Sequence, residues 1–142
     1  DDKKVFCLMG DGELQEGQVW EAAMYASANK IDNIIAAVDY NKKQIDGPTD
    51  EVLSLGELRK KWESFGWKVL EAKGNVMEDI IKTLREAIAH TDNGVPVVIL
   101  LHTEMGYGVD FMMGTHKWHG VAPNDEQAEL ALGQLEETLG DY

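Results

Sequence analysis

An aspartate flanked by glycines, Gly10-Asp11-Gly12, and an asparagine with 28 residues between it and Gly12, Asn41, are the positions best suited to chemistry in this sequence. Each lies in a glycine-containing loop behind a short apolar run: Gly10–Gly17 behind Val5–Met9, and Asp39–Gly47 behind Ile34–Val38. Glycines let a backbone approach an anion closely, and a helix start at Gly17 offers unpaired N–H groups. A carboxylate in such a loop repels a phosphate unless a cation stands between them. Asp11 therefore points to Mg²⁺ or Ca²⁺, hard cations that prefer oxygen ligands. With the two runs as parallel neighbours, Asn41 falls beside the Gly10–Gly12 turn and supplies a neutral oxygen, a nearby backbone carbonyl being the third protein ligand. Two phosphate oxygens and a water complete the octahedron usual for Mg²⁺ on a diphosphate. Taken singly, Asp11-Gly12 and Asp46-Gly47 are turn dipeptides; their joint spacing behind two strands points to a site.

Other reactive side chains carry less. His116 and His119 have metal-like spacing but no evident third ligand. His90, near a predicted helix end, reads as a dipole contact. His102 ends a strand at the functional edge, where structural and active-site roles are equally open. Glu13 and Glu16, three apart, read either as an acid/base pair or as cap and solvated charges. A lone cysteine, Cys7, excludes an internal disulfide and a cysteine zinc site, and inside an apolar strand it is expected to be inert.

The elements that must position these loops follow from patterning. Four apolar runs, Val5–Met9, Ile34–Val38, Trp67–Leu70 and Val95–Leu101, alternate with segments of helical period, the pattern of an α/β fold with a parallel sheet and flanking helices. The first and last are nearly continuous hydrophobes, which predicts burial on both faces. A small-residue helix follows Gly17. Ser54 with Glu57 reads as a capping box ahead of Leu55, Leu58, Trp62 and Phe65. Asn75 with Glu78 repeats the signal ahead of Met77, Ile80, Ile81, Leu84 and Ile88, and that helix is expected to stop near Asn93-Gly94. Asn124 with Gln127 opens a last helix carrying Ala128, Ala131, Leu135 and Leu139. Asn41–Val52 and His102–Pro123 fit no element and follow strands, where open parallel sheets bind ligands.

The 142 residues suit one domain or part of a larger one. Thirteen basic against 26 acidic residues give a net charge of −13, which argues against nucleic acid and anionic membranes as partners. No apolar stretch is long enough to cross a bilayer and no basic-then-apolar leader opens the sequence, so a cytoplasmic setting is expected.

Gly-Asp-Gly followed, just under thirty residues on, by Asn resembles the thiamine-diphosphate motif. GDGELQEGQVWEA at 10–22, DYNKKQIDG at 39–47 and GYGVDFMMGTHKWHGVAPND at 106–125 resemble transketolase in particular, in the family's order. The resemblance covers roughly the second half of that family's pyrophosphate-binding domain, so residues 1–142 are expected to be part of such a domain. It implies Asp11, Asn41 and the carbonyl of Lys43 as Mg²⁺ ligands, with Gly10, Gly12 and Glu13 in the cofactor loop and the Gly12 N–H on the diphosphate. Ile45 matches an apolar residue against the thiazolium ring. Glu16 matches an interface carboxylate with a catalytic role, and His119 a histidine at the diphosphate and substrate end. Two positions depart from the family pattern: Gly74-Asn75-Val76 replaces a polar turn, and Glu104 stands where lysine is frequent.

In the family, thiamine diphosphate and Mg²⁺ carry a two-carbon ketol unit from a ketose phosphate to an aldose phosphate, at a site shared between subunits. The resemblance thus implies further transketolase segments, or a complementary subunit with the pyrimidine-binding domain, in a homo- or hetero-oligomer. It also implies little activity for this chain alone, and one sheet edge and face left exposed. Other thiamine-diphosphate enzymes, 1-deoxyxylulose-5-phosphate synthase and 2-oxo acid dehydrogenase E1, share only the shorter motif. A non-catalytic assembly fragment is the alternative from a different class.

Overall fold

The computed structural model describes residues 3–136. Four strands, β1 (Val5–Gly10), β2 (Ile34–Asp39), β5 (Lys68–Lys73) and β6 (Val97–His102), form a wholly parallel sheet in the order β1-β2-β6-β5. Helix α1 (Gly17–Ala28) crosses from β1 to β2, and α4 (Met77–Ala89) from β5 to β6. The expected α/β architecture is therefore present, with each strand displaced by one to three residues at one or both ends.

Alternation along the strands builds two cores. Ala36, Val38, Val69, Val98 and Leu100 meet α1 and α3 (Leu58–Ser64) on one face, where Ala23, Ala26, Leu58 and Trp62 are buried. Trp62 packs between Trp20, tilted against it, and Trp67, edge-to-face, with ring centroids 5.0 and 4.9 Å away. On the opposite face Ile35, Leu70, Val97 and Ile99 meet Ala87 of α4, flanked by Leu84. Small residues at 23, 26 and 87 let these helices lie close on the sheet.

β1 departs from expectation. It is an edge strand that α4 does not cover: Phe6 is 57% and Leu8 73% exposed, and Cys7 is half-buried. Its hydrophobic run is thus not buried on both faces; the expected exposed edge and face lie here. On α4 the inward positions are Thr83 and Ala87, while Met77, Ile81 and Ile88 are exposed.

Two caps also differ. Ser54 ends the short helix α2 (Thr49–Leu53) and bonds Asp50 and the Gly56 N–H, so no capping box with Glu57 forms. Asn75 accepts from the Glu104 N–H instead of capping α4, and that helix ends at Ala89, ahead of Asn93-Gly94. In both cases a nearer or tertiary donor outcompetes the helix start. The box at Asn124 and Gln127 does form, opening α5 (Asp125–Gln134); Leu139 lies outside the described residues. The segment 41–52, expected as loop, holds a two-residue hairpin, β3 (Lys43–Gln44) and β4 (Gly47–Pro48), running into α2.

Candidate functional site

The β1–β2 register sets Gly10 opposite Asp39, and the Asp11 N–H donates to the Asp39 carbonyl at 3.1 Å. Behind this pairing both strands release their loops at one end of the sheet. The first turns through a 3₁₀ segment, Gly12–Gln15, pinned by fully buried Leu14, whose carbonyl accepts the Trp20 indole N–H at 2.8 Å. The second bends at Lys42, a non-glycine residue with φ +62°, which aims its N–H at Asp11 Oδ2, 2.5 Å away. A Cβ on Gly12 would sit 3.2 Å from Gln44 Cβ, so the loops approach as closely as glycine permits.

Asp11 is buried, and its pKa is pushed up from 3.8 to about 6. Loss of water is the main cause, the Lys42 and Gly12 N–H groups pull the other way, and the Asp39 carboxylate adds repulsion. Asn41 donates to Asp39 Oδ2 at 3.1 Å and accepts the Lys43 N–H at 2.8 Å, while Thr103 Oγ1 donates to Asp39 Oδ1. Glu13 Oε2 accepts the Gly10 N–H at 2.6 Å.

These residues line a cleft of about 380 Å³. Gly10, Asp11, Gly12, Glu13, Glu16, Asn41, Lys43, Ile45 and His119, every site residue expected from the sequence, all face it. Ile45 is 69% exposed on its rim. Glu16 stands exposed before α1 with no side-chain cap bond. His119 arrives from the loop after β6, and its Nδ1 is buried without a hydrogen-bond partner. That loop is held by buried Val109, by an edge-to-face Phe111–Trp118 pair, and by Gln134 of α5 exchanging bonds with Asp110.

The donor set suits a hard divalent cation carrying an anion. A buried carboxylate raised in pKa by desolvation gains from a cation beside it. Asn41 Oδ1 retains a lone pair after accepting from Lys43. The orphaned His119 nitrogen is a polar group that a bound ligand would satisfy. No cluster of three or more His, Cys, Asp or Glu suited to a metal occurs among the described residues.

The other histidines stay outside this cleft. His102 Nε2 lies 3.1 Å from Glu71 Oε2, and Glu71 also takes Arg59 at 2.6 Å; that guanidinium, with the imidazole, holds the Glu71 carboxyl below the usual range. His90 occupies the C-cap position of α4, its backbone N–H bonded to helix carbonyls. Sequence reasoning missed Asp39, Gln15 and Gln44. Gln44 donates to Gln15 Oε1 at 3.1 Å, and Gln15 donates to the carbonyls of Thr49 and Leu53, lacing the first loop to α2. The Gly10–Asp39 register, at the level of strand pairing, could have found Asp39.

A family profile described as the thiamine diphosphate binding domain of transketolase matches residues 1–138. The chain belongs to the transketolase family. It is a transferase-family domain of the thiamine-diphosphate-dependent class, with the fold that class uses. It is 46% identical over 138 residues to one of the subunits of apulose-4-phosphate transketolase from Phocaeicola vulgatus, covering 97% of this chain and 48% of that one. It is 39% identical over 132 residues to 6-deoxy-6-sulfo-D-fructose transketolase subunit SqwG of a Clostridium species, covering 93% and 47%. Campylobacter jejuni transketolase superposes with TM-score 0.84 at 33% identity, over 94% of this chain and 20% of that enzyme. The chain spans about half the length of the subunit-sized relatives it matches. No helix among the described residues is long and apolar enough to cross a membrane.

Proposed function

We propose that this domain binds thiamine diphosphate through Mg²⁺ and serves a transketolase moving a two-carbon ketol unit from a ketose phosphate to an aldose phosphate. The observation that carries the reading is the single cleft joining Asp11, Asn41, Lys43 and His119. Asp11, the Asn41 amide oxygen and the Lys43 carbonyl would hold Mg²⁺ (Ca²⁺ being the alternative hard cation), with the Gly12 N–H on the diphosphate. Ile45 would pack on the thiazolium ring. When bound, that ring supplies the stabilised carbanion chemistry that the protein lacks. His119 would bind the diphosphate and substrate end and move a proton there, through the nitrogen that now has no partner. Glu16, exposed at the rim, would meet carboxylates of another subunit.

Two relatives are named as subunits of transketolases acting on sugars, which supports a partner chain or further segment carrying the pyrimidine-binding domain. On this reading residues 1–142 are part of a larger pyrophosphate-binding domain in a homo- or hetero-oligomer, cytoplasmic, with little activity alone. Calorimetric titration with thiamine diphosphate, with and without Mg²⁺ and beside Asp11→Ala, tests it. Saturable binding that needs both Mg²⁺ and Asp11 is expected; binding indifferent to either overturns the assignment.

A further inference from the structure

Glu104 sits outside the metal and diphosphate ligands, yet it touches both loops that bring them together. Its Oε1 lies 2.9 Å from Lys43 Nζ and accepts the Gly114 N–H, also at 2.9 Å. Its own N–H donates to Asn75 Oδ1 at 2.7 Å, anchoring its backbone to the turn between β5 and α4. Lys43 lies in the second cofactor loop, and Gly114 lies five residues before His119. The Lys43 side chain is only 16% exposed, so its ammonium depends on a paired anion.

We propose that Glu104 is a positioning residue whose carboxylate clasps the Lys43 loop to the His119 loop. The clasp sets the Lys43 carbonyl and the His119 imidazole at one spacing across the cleft. This rests on the metal and diphosphate reading above. A residue anchored to the β5–α4 turn that holds a ligand-bearing loop by a charged bond acts as outer-shell partners of metal ligands do, and their loss costs about 10–100-fold in metal affinity. Here the bond reaches the ligand through its own residue's side chain, which places the effect at about tenfold, the lower end of that range.

The test uses Glu104→Ala, Glu104→Gln, Lys43→Met and the Lys43→Met/Glu104→Ala double variant of the full chain. In the metal-free protein, Glu104→Ala should speed amide hydrogen exchange in both residues 41–44 and residues 111–119. Glu104→Gln should spare the second segment, since its amide oxygen still accepts from Gly114. In titrations with thiamine diphosphate, Glu104→Ala and Lys43→Met should each raise the Mg²⁺ concentration for half-saturation about tenfold. The double variant should be no worse than Glu104→Ala, because Glu104→Ala has already removed the bond to Lys43 that Lys43→Met breaks. A general loss of stability would lower melting temperature without shifting this Mg²⁺ midpoint or yielding the Gln pattern. Mg²⁺ midpoints equal to wild type, with Asp11→Ala abolishing binding, overturn the clasp and leave the cofactor reading standing. Wild-type protein that binds no thiamine diphosphate with Mg²⁺ overturns the cofactor reading, and exchange confined to 111–119 in Glu104→Ala then overturns the clasp as well.

Discussion

Replacing Asp11 with asparagine should stabilise the metal-free protein while abolishing its response to Mg²⁺. The buried carboxyl has a pKa of about 6 in the fold against 3.8 ordinarily. Each unit is worth about 1.4 kcal/mol, so keeping Asp11 ionised at pH 7.5 costs the folded state about 3 kcal/mol. Because the folded pKa is raised, the native state binds the extra proton between pH 3.8 and 6. Wild-type stability therefore falls as pH rises through that window, and the cost is absent below it. Asparagine is neutral throughout and can still accept the Lys42 N–H through Oδ1. Urea unfolding at pH 7.5 should show Asp11→Asn more stable by about 1–3 kcal/mol, with the gain vanishing near pH 4. Adding Mg²⁺ and thiamine diphosphate should reverse the order, since ligand at a thousand times Kd stabilises wild type by about 4.1 kcal/mol. A variant less stable than wild type at pH 7.5, or a gain that persists at pH 4, would refute the desolvation argument.

Three further outcomes are expected. Trp62→Ala, emptying the centre of the tryptophan cluster, should lower stability by about 3–5 kcal/mol, read from the urea midpoint. Gly106→Ala should destabilise by about 1–2 kcal/mol, because φ is +72° and the new Cβ would sit 2.5 Å from Met112 Cβ; differential scanning calorimetry checks it. Ile45→Ala should leave stability within about 0.5 kcal/mol, the side chain being exposed, while calorimetry shows weaker thiamine diphosphate binding.

That Asp11 and Asn41 share one cleft was legible from their joint spacing behind two strands, although Asp11-Gly12 alone reads as a turn dipeptide. The sheet was legible from β-branched runs that stay apolar on both faces, as Val97–Leu100 does. Val5–Leu8 carries the same signal yet ends up exposed, since composition reports what a strand is built to bury and not whether a given neighbour is beside it. Ser54 and Asn75 look like caps locally, but Asn75 spends its oxygen on Glu104, 29 residues away. Glu104 itself was visible only as a departure from the family pattern; its bond to Lys43 depends on how two distant loops fold back. Gln15 and Gln44 gave no signal, because their bonds run to backbone carbonyls and to each other across 29 residues.

The strand order also divides the site between two parts of the sequence. β1 pairs with β2 and β5 with β6 at a separation of 29 residues, Val5 with Ile34 and Lys68 with Val97, each pair closed by a single helix. The seam between the two units, Ile35 with Val97, closes 62 residues. Doubling a loop adds only about 0.6 kcal/mol of closure entropy, but non-local pairing slows folding. Asp11 and Asn41 belong wholly to the first unit, whereas Glu104 and His119 hang from the strand that ends the second. The cleft is therefore complete only where the β2–β6 seam is closed, and the Lys43–Glu104 pair bridges the two units across that seam.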